Sequence, residues 1–354
     1  MNDSFIGKTS SKMLKGIAIL MMVSMHLLKT SWIDNPSLLI DLKICGEFVS
    51  HVLAESLHAS TSIFAFCTGY IWGGVYRDKK PLSRILSLYV SFWIITLTIN
   101  FPLQSINQYI ISGNVAVSPV IVIKSLLAIT SEISKFCWYI SFYALAVITF
   151  PLLKYLLSKF FKRAVMEVVG IIAIFLAIRV MCLLLNRMEV FDSDIYSLLS
   201  RYNQTMPRLL IGTAVYKYGV YDKWNEKGNA NRQLLYSVLF MIILTIGKMG
   251  LRLGLGIDSE IDMFWIIYEM YALTVIVKRL KELDIAKKVL VVLGDYSMYI
   301  WLIHAVFLLD FIQPYLYGLR LPIVIVAVAV LTSLVISVPI KMLDVKVKKL
   351  VKLI

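Results

Sequence analysis

Ten apolar runs, each close to the length that crosses a bilayer, constrain this chain more than any other feature. A hydrocarbon core about 30 Å thick takes roughly 20 helical residues. A backbone inside it has no water to bond, so every N–H and C=O must be satisfied within a helix or a closed barrel. Runs of this length are too long for strands. They lie at roughly 13–31, 58–76, 85–103, 137–157, 165–185, 205–221, 233–250, 261–278, 289–310 and 321–341. Hydrophobic residues make up 59% and charged residues 16% of the 354, too few charges to cover a soluble surface. The prediction is an all-α, polytopic membrane helical bundle of about ten transmembrane helices. No internal repeat, low-complexity stretch or appended soluble domain interrupts it, so residues 1–354 are expected to form one integral-membrane domain.

A net charge of +14 would point to nucleic acid in a soluble chain, but here the bases stand in short clusters between apolar runs, where they set orientation. Nucleic acid is therefore not an expected partner. Alternate connecting segments hold 25 of the 36 Lys and Arg, from Lys8, Lys12 and Lys15 to Lys341, Lys346, Lys348, Lys349 and Lys352. Basic residues are retained on the cytoplasmic side, so both termini are expected there. The first span carries a histidine and lacks a small-residue cleavage site, and is expected to be retained. The segments Trp32–Leu57, with Asp34, Asp41, Glu47 and Glu55, and Asn186–Arg208, with Glu189, Asp192 and Asp194, read as outer loops. The short apolar run Pro119–Ile129 is expected to lie in the interface or re-enter, and Asp344–Ile354 to rest on anionic lipid as a basic amphipathic tail. Cys45, Cys67, Cys137 and Cys182 show no metal-ligand or disulfide spacing and read as packing residues; no metal is expected.

The first span holds the strongest chemical signal. Lys15 and His26 are eleven residues apart, close to three helical turns, so they share a face with roughly 16 Å between them. A pantetheine arm is about that long. A histidine in the hydrocarbon zone is a functional-site hypothesis, set against a purely structural hydrogen bond between helices. In the second span an aromatic run closes on Thr68, Gly69 and Tyr70, where glycine lets either a ligand or a second helix approach. The basic cluster Arg77, Lys79, Lys80 and Arg84 is mostly topogenic, with Arg84 at the mouth of the third span a candidate for gripping donor phosphates. Trp138 and Tyr139 open the fourth span, where an aromatic belt is expected without any function. In the ninth, Ser297, Trp301 and His304 share one stripe, and His304 carries the same two readings as His26. Arg179, Arg208 and Glu269 also lie in or near spans and are expected to be paired inside the bundle.

In order and spacing these pieces resemble the integral-membrane acyltransferase-3 family, the bacterial O-acetylases of cell-surface polysaccharides and related glycolipids. The likeness rests on Lys15, ten residues, then His26; on Phe64, Phe66, Thr68, Gly69 and Tyr70; on Trp138-Tyr139 followed by Phe150-Pro151-Leu152-Leu153; on Arg208-Leu209-Leu210-Ile211-Gly212; and on Ser297 with Trp301-Leu302-Ile303-His304. It covers nearly the whole chain. Ser87 stands where the family often has a second arginine after Arg84, Thr68 replaces serine, and Trp301 replaces tyrosine. No fused extracytoplasmic hydrolase-like domain is expected.

The resemblance implies an O-acetyltransferase of the bacterial inner membrane that moves an acetyl group from acetyl-CoA to a sugar hydroxyl of a lipid-linked or exported glycan. Acetyl-CoA is then a co-substrate, with no tightly bound cofactor. Lys15 and Arg84 are expected to hold the donor and His26 to act as general base or acyl carrier. His304, Ser297, Trp138, Tyr139, Thr68, Tyr70 and Arg208 are expected to shape the acceptor side. Membrane lipid, acyl-CoA and the glycan are the expected partners; a homo-oligomer is compatible with the sequence. The alternative from another class is a transporter or flippase for a polyprenyl-linked saccharide, whose buried charges would line a path.

Overall fold

The structure is a computed structural model that describes residues 4–28, 39–44, 47–56, 59–75, 81–113, 118–188, 193–226, 228–255, 263–306 and 312–353. Of the residues singled out above, Asp34, Cys45, Arg77, Lys79, Lys80, Glu189 and Asp192 lie outside them. The chain begins with helix α1 (Lys8–Leu28), a two-residue antiparallel ladder of β1 (Lys43–Ile44) and β2 (Glu47–Phe48), and the short α2 (Val49–Ser56). It continues with α3 (Ser60–Val75), α4 (Pro81–Ile95), α5 (Phe101–Ser112), α6 (Pro119–Leu126), α7 (Trp138–Phe160) and α8 (Ala164–Arg187). The remainder is α9 (Ser193–Lys217), α10 (Val220–Glu226), α11 (Ala230–Leu255), α12 (Ile266–Leu280), α13 (Asp284–Val306), α14 (Gln313–Tyr317) and α15 (Pro322–Leu350).

Seven helical stretches among the described residues are long and apolar enough to cross a membrane: α1, Pro81–Ile110, α7, α8, Ala230–Leu251, α13 and α15. This makes the chain a multi-pass membrane protein. The other three expected spans correspond to α3 and α12, which have 16 and 15 residues, and to α9, which is long but carries many polar side chains. The join between α4 and α5 is a π-helical turn, Thr96–Asn100. Pro102 follows it and has no N–H for the regular ladder. The turn delivers the fully buried Asn100 inward, where its amide donates to Ser134 Oγ at 2.8 Å and to the Leu302 carbonyl at 3.3 Å.

One sequence expectation needs correction, and one segment gains detail. Within 186–208 the chain is helical from Ser193 on, where α9 starts. The C-terminal stretch is not a separate tail, since α15 runs unbroken to Leu350 and turns Asp344 into the protein, 2% exposed. Tyr299 Oη donates to Asp344 at 2.6 Å and Ser91 Oγ at 3.0 Å, so burial there is matched by hydrogen bonds. The run at 119–129 forms α6, fastened where Trp93 Nε1 and Tyr89 Oη donate to the Leu126 and Leu127 carbonyls at 2.8 and 3.0 Å.

Two helix pairs make the centre, and small residues explain both. Without a hydrophobic driving force between helices in lipid, close backbone approach and its dispersion contacts hold them together. Gly16 of α1 lies against the Leu290 carbonyl of α13, and Gly294 of α13 against the Lys12 carbonyl of α1. A Cβ at either would collide with that backbone. Gly69 of α3 meets the Leu209 carbonyl of α9, and Gly212 of α9 meets Phe66 and Tyr70 of α3, with the same consequence. Gly69 therefore serves helix packing, one of its two sequence readings. Lys12 and Asp295 add an ion pair at 2.8 Å across the first pair, and Thr213 Oγ1 donates to the Gly69 carbonyl at 2.9 Å across the second. Around this centre α8, α11 and α15 present apolar outer faces. α11 is tied to α12 by the buried pair Lys248–Glu269 at 3.1 Å, a partner of the kind expected for Glu269. Cys67, Cys137 and Cys182 are buried free thiols.

Candidate active site

Between the two glycine-packed pairs lies a cavity of ≈ 530 Å³. α1 contributes Lys15, Met22, Met25 and His26 to its wall, at offsets i, i+7, i+10 and i+11, which return to one helix face. α13 contributes Ser297, Met298 and Trp301, and α3 contributes Phe64 and Thr68 with the hydroxyls of its first turn. α7 closes the side with Trp138, Tyr139, Ile140 and Tyr143. α9 adds Arg201, Gln204, Thr205 and Arg208. The lining includes Lys15, Arg201 and Arg208 but no carboxylate among the described residues. A space with three cations and no acid in its wall suits anionic ligands.

His26 and His304 are joined directly. His26 Nδ1 and His304 Nε2 are 2.7 Å apart, with the two rings within 8° of parallel. The ring centroids are 5.0 Å apart, as an in-line N–H···N bond requires, so the contact is edge to edge and not a stack. The tautomers follow from the backbone. His304 Nδ1 lies 3.1 Å from the Ile300 carbonyl, which only accepts, so Nδ1 carries the proton. His304 Nε2 then accepts from His26 Nδ1–H, which leaves Nε2 as the basic nitrogen of His26. His304 is fully buried, and His26, at 5% exposed, forms the cavity wall. Phe136 covers the His26 ring at a centroid distance of 4.1 Å. Its backbone has a φ of 59°, an unusual value for a bulky residue that the surroundings must enforce.

Of the residues nominated from sequence, Lys15, His26, Ser297, Trp138, Tyr139, Thr68 and Arg208 come together around this cavity. Thr68 Oγ1 donates to the Phe64 carbonyl at 2.8 Å and Ser297 Oγ to the Gly294 carbonyl at 2.9 Å. Both hydroxyls thus have their protons committed within their own helices and can offer only lone pairs to a ligand. His304 stands one layer behind His26 rather than on the wall. Tyr70 points elsewhere, into an aromatic cluster with Phe66, Tyr216 and Tyr221 at centroid distances of 6.5, 5.2 and 6.1 Å. Arg84 lines a neighbouring cleft of ≈ 490 Å³, its guanidinium carbon 5.8 Å from the centroid of a Trp72 ring. That cleft and the cavity share Leu88, Tyr143 and Met298.

Arg201, Gln204 and Thr205 were not nominated from sequence. The signal was present: residues 201, 204, 205 and 208 recur at i, i+3, i+4 and i+7, a polar stripe at helical period. Arg201 lies over Trp138 at 5.5 Å, and Arg208 Nη1 donates to the Gln204 carbonyl one turn back.

Residues 9–342 match the acyltransferase-3 family model, which is described as an acyltransferase domain. The chain belongs to the acyltransferase-3 family. No curated protein and no solved structure matches the chain. Membership makes this chain a membrane acyltransferase.

Proposed function

We propose that the protein is an acyl-CoA-dependent O-acetyltransferase of the bacterial inner membrane, acting on a sugar hydroxyl of a lipid-linked or exported glycan. In this reading ten helices cross the bilayer, including α3, α9 and α12, and both termini face the cytoplasm. The observation that carries it is the 2.7 Å bond from His26, on the wall of a cavity that also holds Lys15, to His304 behind it. Acetyl-CoA enters from the Lys15 end with its thioester directed toward His26, and the acceptor enters from the end formed by Trp138 and Arg201.

His26 Nε2 takes the proton of the acceptor hydroxyl as its oxygen attacks the thioester carbon. The carbon–sulfur bond breaks, and the imidazolium returns its proton to the departing thiolate. While His26 is charged, Nδ1–H still bonds His304 Nε2, so the hydrogen bond strengthens without rearrangement. His304 holds one tautomer and one ring orientation, as the carboxylate does in a Ser-His-Asp triad, but as a neutral group suited to a dry site. Trp138 and Tyr139 supply flat apolar faces for a sugar, and Arg201, Gln204 and Arg208 supply donors for its oxygens.

The test is incubation of membranes containing the protein with radiolabelled acetyl-CoA, followed by separation of lipid, glycan and protein. Label in the glycan or lipid-linked glycan fraction, absent from His26→Ala membranes, is the expected result. Saccharide movement without consumption of acetyl-CoA would instead identify a transporter, and label confined to protein would place a stable acyl-enzyme in the path.

A further inference from the structure

Three lysines that the fold draws out of water are each matched by a carboxylate. Lys248 meets Glu269 at 3.1 Å, Lys217 meets Glu167 at 2.6 Å and Lys348 meets Asp344 at 2.9 Å. The matching follows from the cost of taking a charge out of water without a counter-charge. Arg201 departs from it. Its side chain forms part of the cavity wall, yet among the described residues no carboxylate lines that wall or pairs with it. The titratable group that faces it is the Cys137 thiol, which donates to the Thr130 carbonyl at 3.3 Å and so keeps its proton. What steadies Arg201 is an aromatic face, with the guanidinium carbon 5.5 Å from the centroid of a Trp138 ring. A planar, weakly hydrated guanidinium is attracted to such a face and keeps the N–H groups at its edge for another partner.

The position of this cation bears on which partner that is. Trp138 opens α7 two residues after Phe136, whose ring covers His26, so Arg201 stands at the His26 end of the cavity. α3 and α9 run parallel, since Gly69 meets Leu209 and Gly73 meets Thr213 and Tyr216. The first turn of α3 is therefore level with Arg201, and Ser60 and Ser62 add hydroxyls to the same part of the wall. In the acyl-CoA reading the donor's phosphates stay toward Lys15, and only the uncharged pantetheine arm reaches this end. The donor leaves the charge of Arg201 unanswered.

We propose that the acceptor is an acidic saccharide, and that Arg201 holds its anionic group beside the hydroxyl that His26 deprotonates. This rests on the acyl-transfer reading above and narrows its acceptor from a sugar in general to a charged one. A carboxylate or phosphate takes two parallel N–H bonds from a guanidinium fork, which fixes the orientation of the sugar as well as its position. A neutral sugar leaves Arg201 without a counter-charge, and the proton that passes to His26 then adds a further positive charge to the same low-dielectric space. The carboxylate of a uronic-acid-type sugar and the phosphate that joins a saccharide to its carrier lipid present the same chemistry, and the experiment separates the two sources.

The full chain is reconstituted in zwitterionic nanodiscs, and binding of two matched pairs is followed by tryptophan fluorescence with no acetyl-CoA present. Methyl glucuronide against methyl glucoside reads a sugar carboxylate; farnesyl phosphate against farnesol reads a carrier phosphate. Wild type is expected to bind the acid of one pair about tenfold or more tightly than its neutral partner, the worth of one charge-assisted hydrogen bond. The pair with the larger preference names the source of the acid. R201Q is expected to lose that preference by weakening the acid alone, R201K to keep part of it, and CoA to bind all three proteins alike. A purely structural role for Arg201 weakens acid and neutral ligands together and so contradicts the proposal. The wild-type comparison needs no variant, so it stands even if R201Q fails to insert. Wild type with no preference for either acid, a preference that R201Q retains, or a parallel loss of CoA binding overturns the proposal. An acid preference that R201Q abolishes, in a wild type that transfers acetyl to no saccharide, keeps the anion site and refutes the O-acetyltransferase reading instead.

Discussion

The α1/α13 and α3/α9 pairs use one packing device and present different chemistry. In each, reciprocal glycines bring two backbones into contact. Across the first pair the wall holds His26, Lys15 and Ser297 with His304 behind, the groups to which the proposed function gives proton transfer and the donor. Across the second it holds Thr68, Arg201, Gln204, Thr205 and Arg208, groups that grip polar atoms. α1 and α13 remain apolar enough to count as spans, whereas α9 does not. A helix that lines a polar cavity is released from the demand for hydrocarbon-like side chains. Low hydropathy in a long helix of such a bundle is therefore a pointer to the site.

The comparison breaks most completely at His26. H26A is expected to reduce acetyl transfer to background, a loss of at least about a thousandfold, with membrane insertion unchanged by extraction and size-exclusion profile. Next in size are the packing contacts. G294L and G69L each drive a side chain into a facing carbonyl and are expected to lower stability by about 3 kcal/mol or more. G247A in α11, where an added Cβ meets nothing, should leave the melting profile unchanged. If only one of the two pairs proves sensitive, the symmetry drawn between them is wrong. R201A sharpens the division of labour: a rise of about tenfold in acceptor KM is expected, with the acetyl-CoA KM unmoved. A rise in the donor KM instead would move Arg201 to the other half of the site. The smallest effect is expected for Y70F, within about twofold of wild type in every kinetic constant, because Tyr70 lies in the aromatic cluster and not on the cavity.

Much of this is legible in the sequence. Apolar run length located the long helices, because a bilayer imposes one length on all of them. The eleven-residue gap placed Lys15 and His26 on one face, because the helical period is fixed. Other features needed the third dimension. Nothing in the sequence says that His304 bonds His26, since the two are 278 residues apart. Tyr70 sits beside Thr68 and Gly69 in one motif, yet a helix turns successive residues by about 100°, so Thr68 faces the cavity while Tyr70 faces the aromatic cluster. In the sequence the α9 stripe reads as a loop, because its charged residues lie between apolar runs. Lys348 read as tail charge, since only the fold reveals Asp344 and Ser91 beside it.

The central claim is that His26 and His304 act as one unit, and a double-mutant cycle tests it most directly. Initial rates of acetyl transfer are measured for wild type, H26A, H304A and the double variant at saturating acetyl-CoA. The account predicts that H304A alone loses about a hundredfold in kcat with little change in KM, and that the double variant is no slower than H26A. Losses that simply add, or an H26A protein that retains substantial transfer, would contradict it.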